Sequence, residues 1–161
     1  MQKITPFLWF DGKAEEAANF YVSVFKNSKI LNIARFGEAG PGPKGTAMVV
    51  SFEIEGQKFS ALNGGPQYTF SPAISFLVNC ETQAEVDELW AKLTADGKEV
   101  QCGWLTDKFG VSWQIIPRAF MEMMQDKDSV RSQRVFRAMM QMVKIDVEAL
   151  NRAYRGEQNK S

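Results

Sequence analysis

Residues 4–25, ITPFLWFDGKAEEAANFYVSVF, and residues 72–93, PAISFLVNCETQAEVDELWAKL, decide the fold, because the second stretch repeats the order of the first. Each opens with a short apolar strand, passes a polar break and enters an amphipathic helix. In the first, Ala14, Ala17, Ala18, Tyr21, Val24 and Phe25 recur at the spacing that gathers side chains on one face of a helix. Glu15 and Glu16 fall in its first turn, where the helix dipole favours negative charge. In the second, Val86, Leu89, Trp90 and Leu93 form the matching stripe. An offset of 69 residues lays Phe7-Leu8 on Phe76-Leu77, Ala17 on Val86, Phe20-Tyr21 on Leu89-Trp90 and Val24 on Leu93. One strand–helix unit occurs twice.

Strands follow each helix. Residues 30–36 (ILNIARF) read as one, and the loop 37–45 (GEAGPGPKG) is set by its four Gly and two Pro. Beyond it Met48, Val50, Phe52 and Ile54 alternate with Val49, Ser51 and Glu53, the period of a half-buried strand. Glu55-Gly56 signals a hairpin to the partner 57–63 (QKFSALN). In the second unit, 98–105 and 111–116 read as strands around the turn Asp107-Lys108-Phe109-Gly110. The expected fold is therefore α+β, two βαβββ modules whose mixed sheets curl around a pocket, within residues 1–119. Residues 120–161 are rich in Met and Arg and are expected to form a helical extension that packs on the core or on a dimer partner. Its helices are placed at about 118–125, 129–142 and 146–155, with Asp128 and Asp146 as N-caps.

Composition excludes several functions. No apolar run among the 161 residues approaches the roughly 20 needed to span a bilayer, and the N-terminus has no leader pattern. A cytoplasmic protein is expected, with Cys80 and Cys102 as reduced thiols. Nineteen basic residues balance nineteen acidic ones, so no global field draws in nucleic acid or an anionic membrane. There is no histidine, which removes His-centred catalysis and the commonest metal ligand. The two Cys are far apart in sequence and no dense acidic loop exists, so neither a metal nor a cofactor is expected. Gly64-Gly65 matches no phosphate-binding pattern and reads as a turn, and no Gly-rich strand-to-helix turn of the kind used for S-adenosylmethionine is visible.

What remains is a pocket. Trp9, Phe52, Phe76, Trp104 and Trp113 all fall on expected strands, as do the amides Asn63 and Gln114. Mostly apolar walls with a few polar groups are what small-molecule sites look like. An amide on a strand between apolar neighbours needs partners, since burying it unpaired costs on the order of 1–3 kcal/mol. These seven residues are the candidate ligand site; no catalytic residue stands out.

Three stretches carry a family resemblance: Leu62-Asn63-Gly64-Gly65, Ile74-Ser75-Phe76-Leu77-Val78-Asn79, and Phe109-Gly110-Val111-Ser112-Trp113-Gln114-Ile115-Ile116-Pro117. With the doubled βαβββ pattern they resemble the vicinal oxygen chelate (glyoxalase/bleomycin resistance/dioxygenase) superfamily, and within it the PhnB-like, demethylubiquinone 3-methyltransferase-like branch. The resemblance implies metal ligands at strand positions matching Thr5 or Phe7, Asn63, Ser75 and Gln114, where only the two amides offer more than a hydroxyl or hydrocarbon. It also implies a second mode, enclosing a ligand without metal, as bleomycin-binding resistance proteins do. The expectation is a metal-independent small-molecule binding or sequestering protein. The alternative is an enzyme of the same superfamily, lyase-like or a methyltransferase. The apolar series Phe136, Met139, Met140, Val143, Val147, Leu150 and Tyr154 suggests a homodimer with Met-rich contacts from the tail.

Overall fold

The first helix has no capping side chain of its own, and the way the chain solves that problem organises the first module. The computed structural model describes residues 2–157 and separates into two units, Met1–Phe70 and Ser71–Ser161. The first contains β1 (Phe7–Phe10), α1 (Ala14–Val24), β2 (Lys29–Arg35), β3 (Ala47–Ile54) and β4 (Gln57–Asn63). Its sheet runs β1-β4-β3-β2, with β1 parallel to β4 and the other pairs antiparallel. At the N-cap of α1 stands Lys13, which makes no side-chain cap. Instead the Ala14 N–H donates to Asn63 Oδ1 at 2.9 Å, and Asn63 Nδ2 donates to the Ala47 carbonyl at 2.9 Å. The last residue of β4 thus satisfies a helix end and ties it to the start of β3.

The core of this unit lies between α1 and one face of the sheet. Tyr21 of α1 stacks on Phe52 at 6.2 Å, and Phe52 on Phe59 at 5.5 Å. Register places Leu8, Val50 and Ala61 on the same face, all buried. Glu55 (φ 48°) and Gly56 (φ 82°) form the hairpin turn, both in the left-handed region that matches the twist of the strands. Met48, expected to point inward with Val50, is exposed instead. Ala34 pairs with Val49 and Arg35 with Ala47, so a bulge at Met48 inverts the phase and buries Ala47.

The second unit contains β5 (Ser75–Cys80), α2 (Gln83–Thr94), β6 (Lys98–Glu99), β7 (Trp104–Thr106) and β8 (Ser112–Pro117), in sheet order β5-β8-β7-β6. Here the helix caps itself. The Glu85 N–H donates to Thr82 Oγ1 at 3.2 Å, and Glu85 Oε2 accepts the Glu81 N–H at 2.8 Å. Val86, Leu89, Trp90 and Leu93 bury the inner face of α2, and Leu105, Trp113 and Ile115 are buried in β7 and β8. The strand expected over 98–105 is instead a hairpin, β6 antiparallel to β7, whose turn passes through Cys102 (φ 61°) and Gly103 (φ 80°). The Val100 N–H donates to the Trp104 carbonyl at 2.9 Å and the Trp104 N–H to that of Gln101 at 3.1 Å. The Cys102 and Gly103 N–H groups donate to the carbonyls of Met142 and Val143 at 2.8 Å each, so the tail docks on the turn.

The tail forms α3 (Arg118–Met124), α4 (Ser129–Met140) and α5 (Val147–Arg155). Asp128 accepts from the Val130 and Arg131 N–H groups and Asp146 from that of Ala149, as their positions in the sequence suggest. Val135, Met139, Ile145 and Leu150 make a core against which Cys102, Phe120, Met123 and Met124 pack. Gln83 of α2 clasps the segment before α5, donating to the Ile145 carbonyl (3.0 Å) and accepting the Val147 N–H (2.7 Å).

The modules repeat with one adjustment. The offset of 69 aligns the helices, but the strand ends Phe10 and Cys80 lie 70 apart, with Leu8 and Phe10 facing the helix in β1 and Val78 and Cys80 in β5. The first module carries one residue more between strand and helix, three after Phe10 against two after Cys80. Among the described residues no helix is long and apolar enough to cross a membrane.

Candidate functional site

In each unit the helix covers one face of the sheet, and strand register identifies what stands on the other. In the first unit, Trp9, Leu62, Val49 and Ala34 form one row across the four strands. Phe7, Ser60, Ser51 and Asn32 form the next. In the second unit, Leu77, Gln114 and Trp104 form a row beside Ser75, Ser112, Thr106 and Lys98. Each helix-free face therefore sets a mostly apolar row next to a row that carries hydroxyls, two in the first unit and three in the second. The tryptophan has moved between modules, from the first strand (Trp9) to the third (Trp104).

The seven residues singled out from the sequence divide between the two faces. Phe52 is fully buried in the ring stack under α1, and Asn63 has both ends of its amide spent on the α1 cap and β3. Phe76 and Trp113 stand together on the α2 side, ring centroids 5.3 Å apart. The Trp113 Nε1–H donates to Asp107 Oδ2 at 2.9 Å, while Asp107 Oδ1 accepts the Phe109 and Val111 N–H groups, which fixes the turn before β8. Trp9, Trp104 and Gln114 stand on the helix-free faces, the latter two as neighbours in register.

Trp9 is held in place. Its Nε1–H donates to the Gly65 carbonyl at 2.9 Å, Tyr68 meets it edge-on at 5.0 Å, and a Cβ at Gly64 would come within 2.3 Å of its ring. Gly64-Gly65 is thus the floor under an indole. Gln114 is held at one end only. Its Nε2 donates to Ser75 Oγ at 2.8 Å, and among the described residues its Oε1 has no partner. A serine hydroxyl both donates and accepts, so the amide keeps this bond in either orientation and presents an acceptor or a donor outward.

Sequence reasoning missed Val49, Leu62, Leu77, Ser60 and Ser112. Period-two counting along each strand was available as a signal, but the cross-strand register that joins these residues into rows was not.

The positions at which the superfamily places metal ligands hold a poor donor set here. Thr5 offers a neutral hydroxyl and Phe7 hydrocarbon, Asn63 turns toward α1, and Ser75 and Gln114 are neutral and bonded to each other. Among the described residues no group of three or more His, Cys, Asp or Glu could hold a metal ion. A divalent transition metal, which takes imidazole, thiolate or carboxylate, does not fit these residues.

Both cysteines are free thiols. Burial pushes the Cys80 thiol up to about 12, with the Glu85 carboxylate adding to the shift. A thiol held neutral in this way is a packing group and not a nucleophile. The remaining perturbed groups are surface pairs: the Arg35 guanidinium holds Glu15 below its usual range, and Lys144 with Gln83 does the same for Asp87.

Two βαβββ modules, each with a helix-free sheet face, define a protein of the vicinal oxygen chelate superfamily. A family model described as 3-demethylubiquinone-9 3-methyltransferase matches residues 2–116, and the chain belongs to that family, the PhnB-like branch. A PhnB protein from Bacillus cereus that carries the same methyltransferase description is 44% identical, with a TM-score of 0.68. The match covers 72% of this chain and 99% of that one. A Pseudomonas aeruginosa protein shares the fold at 22% identity and TM-score 0.61, over 73% of this chain and 98% of the other. The fosfomycin resistance protein FosX of Listeria monocytogenes shares it at 12% identity and TM-score 0.51, over 73% and 93%. No curated protein matches the chain.

Proposed function

We propose that the protein binds a small organic molecule on the helix-free faces of its sheets without a metal ion. The observation that carries this is the cluster of Trp104, Gln114, Leu77 and Ser75, an indole and an aliphatic side chain flanking an amide whose acceptor end is unspent. Apolar surface supplies affinity and the single adaptable amide supplies orientation. The unsuitable donor set at the superfamily's metal positions supports the metal-free mode. Methyl transfer, suggested by the family description, is the second reading, and titration with S-adenosylmethionine by calorimetry decides it; micromolar binding would favour it.

Native mass spectrometry of the purified protein is expected to find a co-purified organic molecule, and elemental analysis after dialysis no stoichiometric transition metal. About one zinc, nickel or iron per chain would overturn the reading. The site residues proposed for contact are Trp9, Trp104 and Gln114, with Phe52, Asn63, Phe76 and Trp113 supporting them from the helix side. We also propose a cytoplasmic homodimer in which the exposed Phe136, Met140 and Val143 form part of the interface. Light scattering of the full chain and of a Phe136→Glu/Met140→Glu variant tests it: a monomeric wild type at micromolar concentration refutes the dimer.

A further inference from the structure

The two strand amides differ in what they leave over. Asn63 in the first unit spends both ends of its amide, on the Ala14 N–H and the Ala47 carbonyl. Gln114 in the second unit spends one: its Nε2 donates to Ser75 Oγ at 2.8 Å, and among the described residues its Oε1 accepts nothing. Ser75 accepts that bond, and among the described residues its own hydroxyl proton has no acceptor. A hydroxyl carries one proton and two lone pairs, and an amide sets an acceptor oxygen beside a donor nitrogen. The joined pair therefore leaves one donor, the Ser75 O–H, next to one acceptor, Gln114 Oε1. Turning the amide over exchanges the roles, with Gln114 Nε2–H as the donor and Ser75 Oγ as the acceptor. One of each remains in both arrangements.

That pairing selects a chemical class. A ligand edge with one acceptor beside one donor, as in a lactam, an imide or any cis amide, meets the pair with both bonds made. A carboxylate offers two acceptors and an amidinium two donors, and each would set like against like at one of the two contacts. A carboxylate would also lack a countercharge to offset its desolvation. In the two register rows the charged side chain is Lys98, on the edge strand β6, three strands and roughly 14 Å from Ser75. Trp104 and Leu77 flank Gln114 in register, so a flat ring is covered by an indole and an aliphatic side chain while its amide edge is read. All of these groups lie on one sheet face of the second unit.

We infer that the Gln114–Ser75 pair reads a cis-amide edge, and that the ligand of this face is a neutral planar lactam or imide. This rests on the small-molecule reading proposed above, names its chemical class and adds Ser75 to its contacts. Three probes test it by calorimetry on the full chain. 2-Quinolone presents the amide edge, N-methyl-2-quinolone has its donor blocked, and protonated 2-aminoquinoline presents two donors. The wild type is expected to bind 2-quinolone about tenfold more tightly than either of the others, since each of those leaves a polar group of the pair unmatched. Ser75→Ala should weaken 2-quinolone about fivefold, the size of one neutral hydrogen bond. Gln114→Glu leaves the pair with acceptors only and should reverse the order, so that protonated 2-aminoquinoline binds more tightly than 2-quinolone. A merely structural role for Gln114 would weaken all three probes alike.

Equal affinity of the wild type for 2-quinolone and its N-methyl derivative overturns the class. An unchanged probe order in Gln114→Glu, with a melting curve that shows the variant folded, overturns the assignment to the pair and leaves small-molecule binding standing. If that variant does not fold, Ser75→Ala decides, and an unchanged 2-quinolone affinity there overturns the assignment. Failure of every probe to bind the wild type overturns this inference alone if native mass spectrometry finds a co-purified organic molecule. If none is found, the underlying reading fails with it.

Discussion

Replacing Asn63 by alanine removes two hydrogen bonds at once, 2.9 Å from the Ala14 N–H and 2.9 Å to the Ala47 carbonyl. The first is the side-chain cap of α1, and loss of a cap costs about 1 kcal/mol, within a range of about 0.5–2. The second strands a carbonyl at the start of β3 and costs about 1 kcal/mol more. The sum is about 2–3 kcal/mol, and for a chain of this size each kcal/mol lowers the melting temperature by about 2–4 °C. A fall of about 4–12 °C in a thermal melt followed by circular dichroism is therefore expected. Asn63→Asp keeps the acceptor for Ala14 but loses the donor to Ala47, so it should fall between the wild type and the alanine variant. If Asn63→Ala melts within about 1 °C of the wild type, a shift well below that expected per kcal/mol, while ligand binding collapses, the residue serves the ligand and its structural role is refuted.

Three further outcomes follow from other sites. Gly64→Ala would drive a Cβ to within 2.3 Å of the Trp9 ring, so a loss of about 1–3 kcal/mol and a shifted indole emission are expected in urea unfolding. Leu150→Ala empties the fully buried centre of the tail core and should cost about 2–5 kcal/mol, read as a lowered urea midpoint. The Cys80 thiol, raised to about 12, stays protonated in the folded chain while the unfolded chain ionises near 9. The unfolded state then binds fewer protons, so stability falls as pH rises from about 9 towards 12. Subtracting the Cys80→Ala profile from the wild type should isolate that decline; identical profiles would contradict the shift.

The sequence carried the elements well and their faces less well. Helical stripes such as Ala17–Tyr21–Val24 and Val86–Trp90–Leu93 are local, because a helix bonds only to itself, and both bury as the spacing implies. Strand facing is not local. A one-residue bulge at Met48 inverts a phase that looked unbroken, and one residue fewer before α2 shifts the strand-end repeat from 69 to 70. The reversal between Val100 and Trp104 needs a positive φ at Cys102, a residue type that does not mark a turn, and its outer N–H groups are met by carbonyls forty residues away. For the candidate site the consequence is direct. Asn63 and Gln114, alike as strand amides in sequence, face opposite ways: one toward its helix, the other away. Residue type marked them both, and only register told them apart.

The family match ends at residue 116, yet the folding unit does not. The carbonyls of Met142 and Val143 hold the turn at Cys102-Gly103, and the next residue in the chain is Trp104. Cutting the tail away would free the Cys102 and Gly103 N–H groups, while the hairpin itself stays closed by the bonds between Val100 and Trp104 and between Trp104 and Gln101. The helical extension is therefore a clamp on the turn that precedes Trp104, and a binding assay on a shortened chain would report on a loosened turn as well as on the ligand.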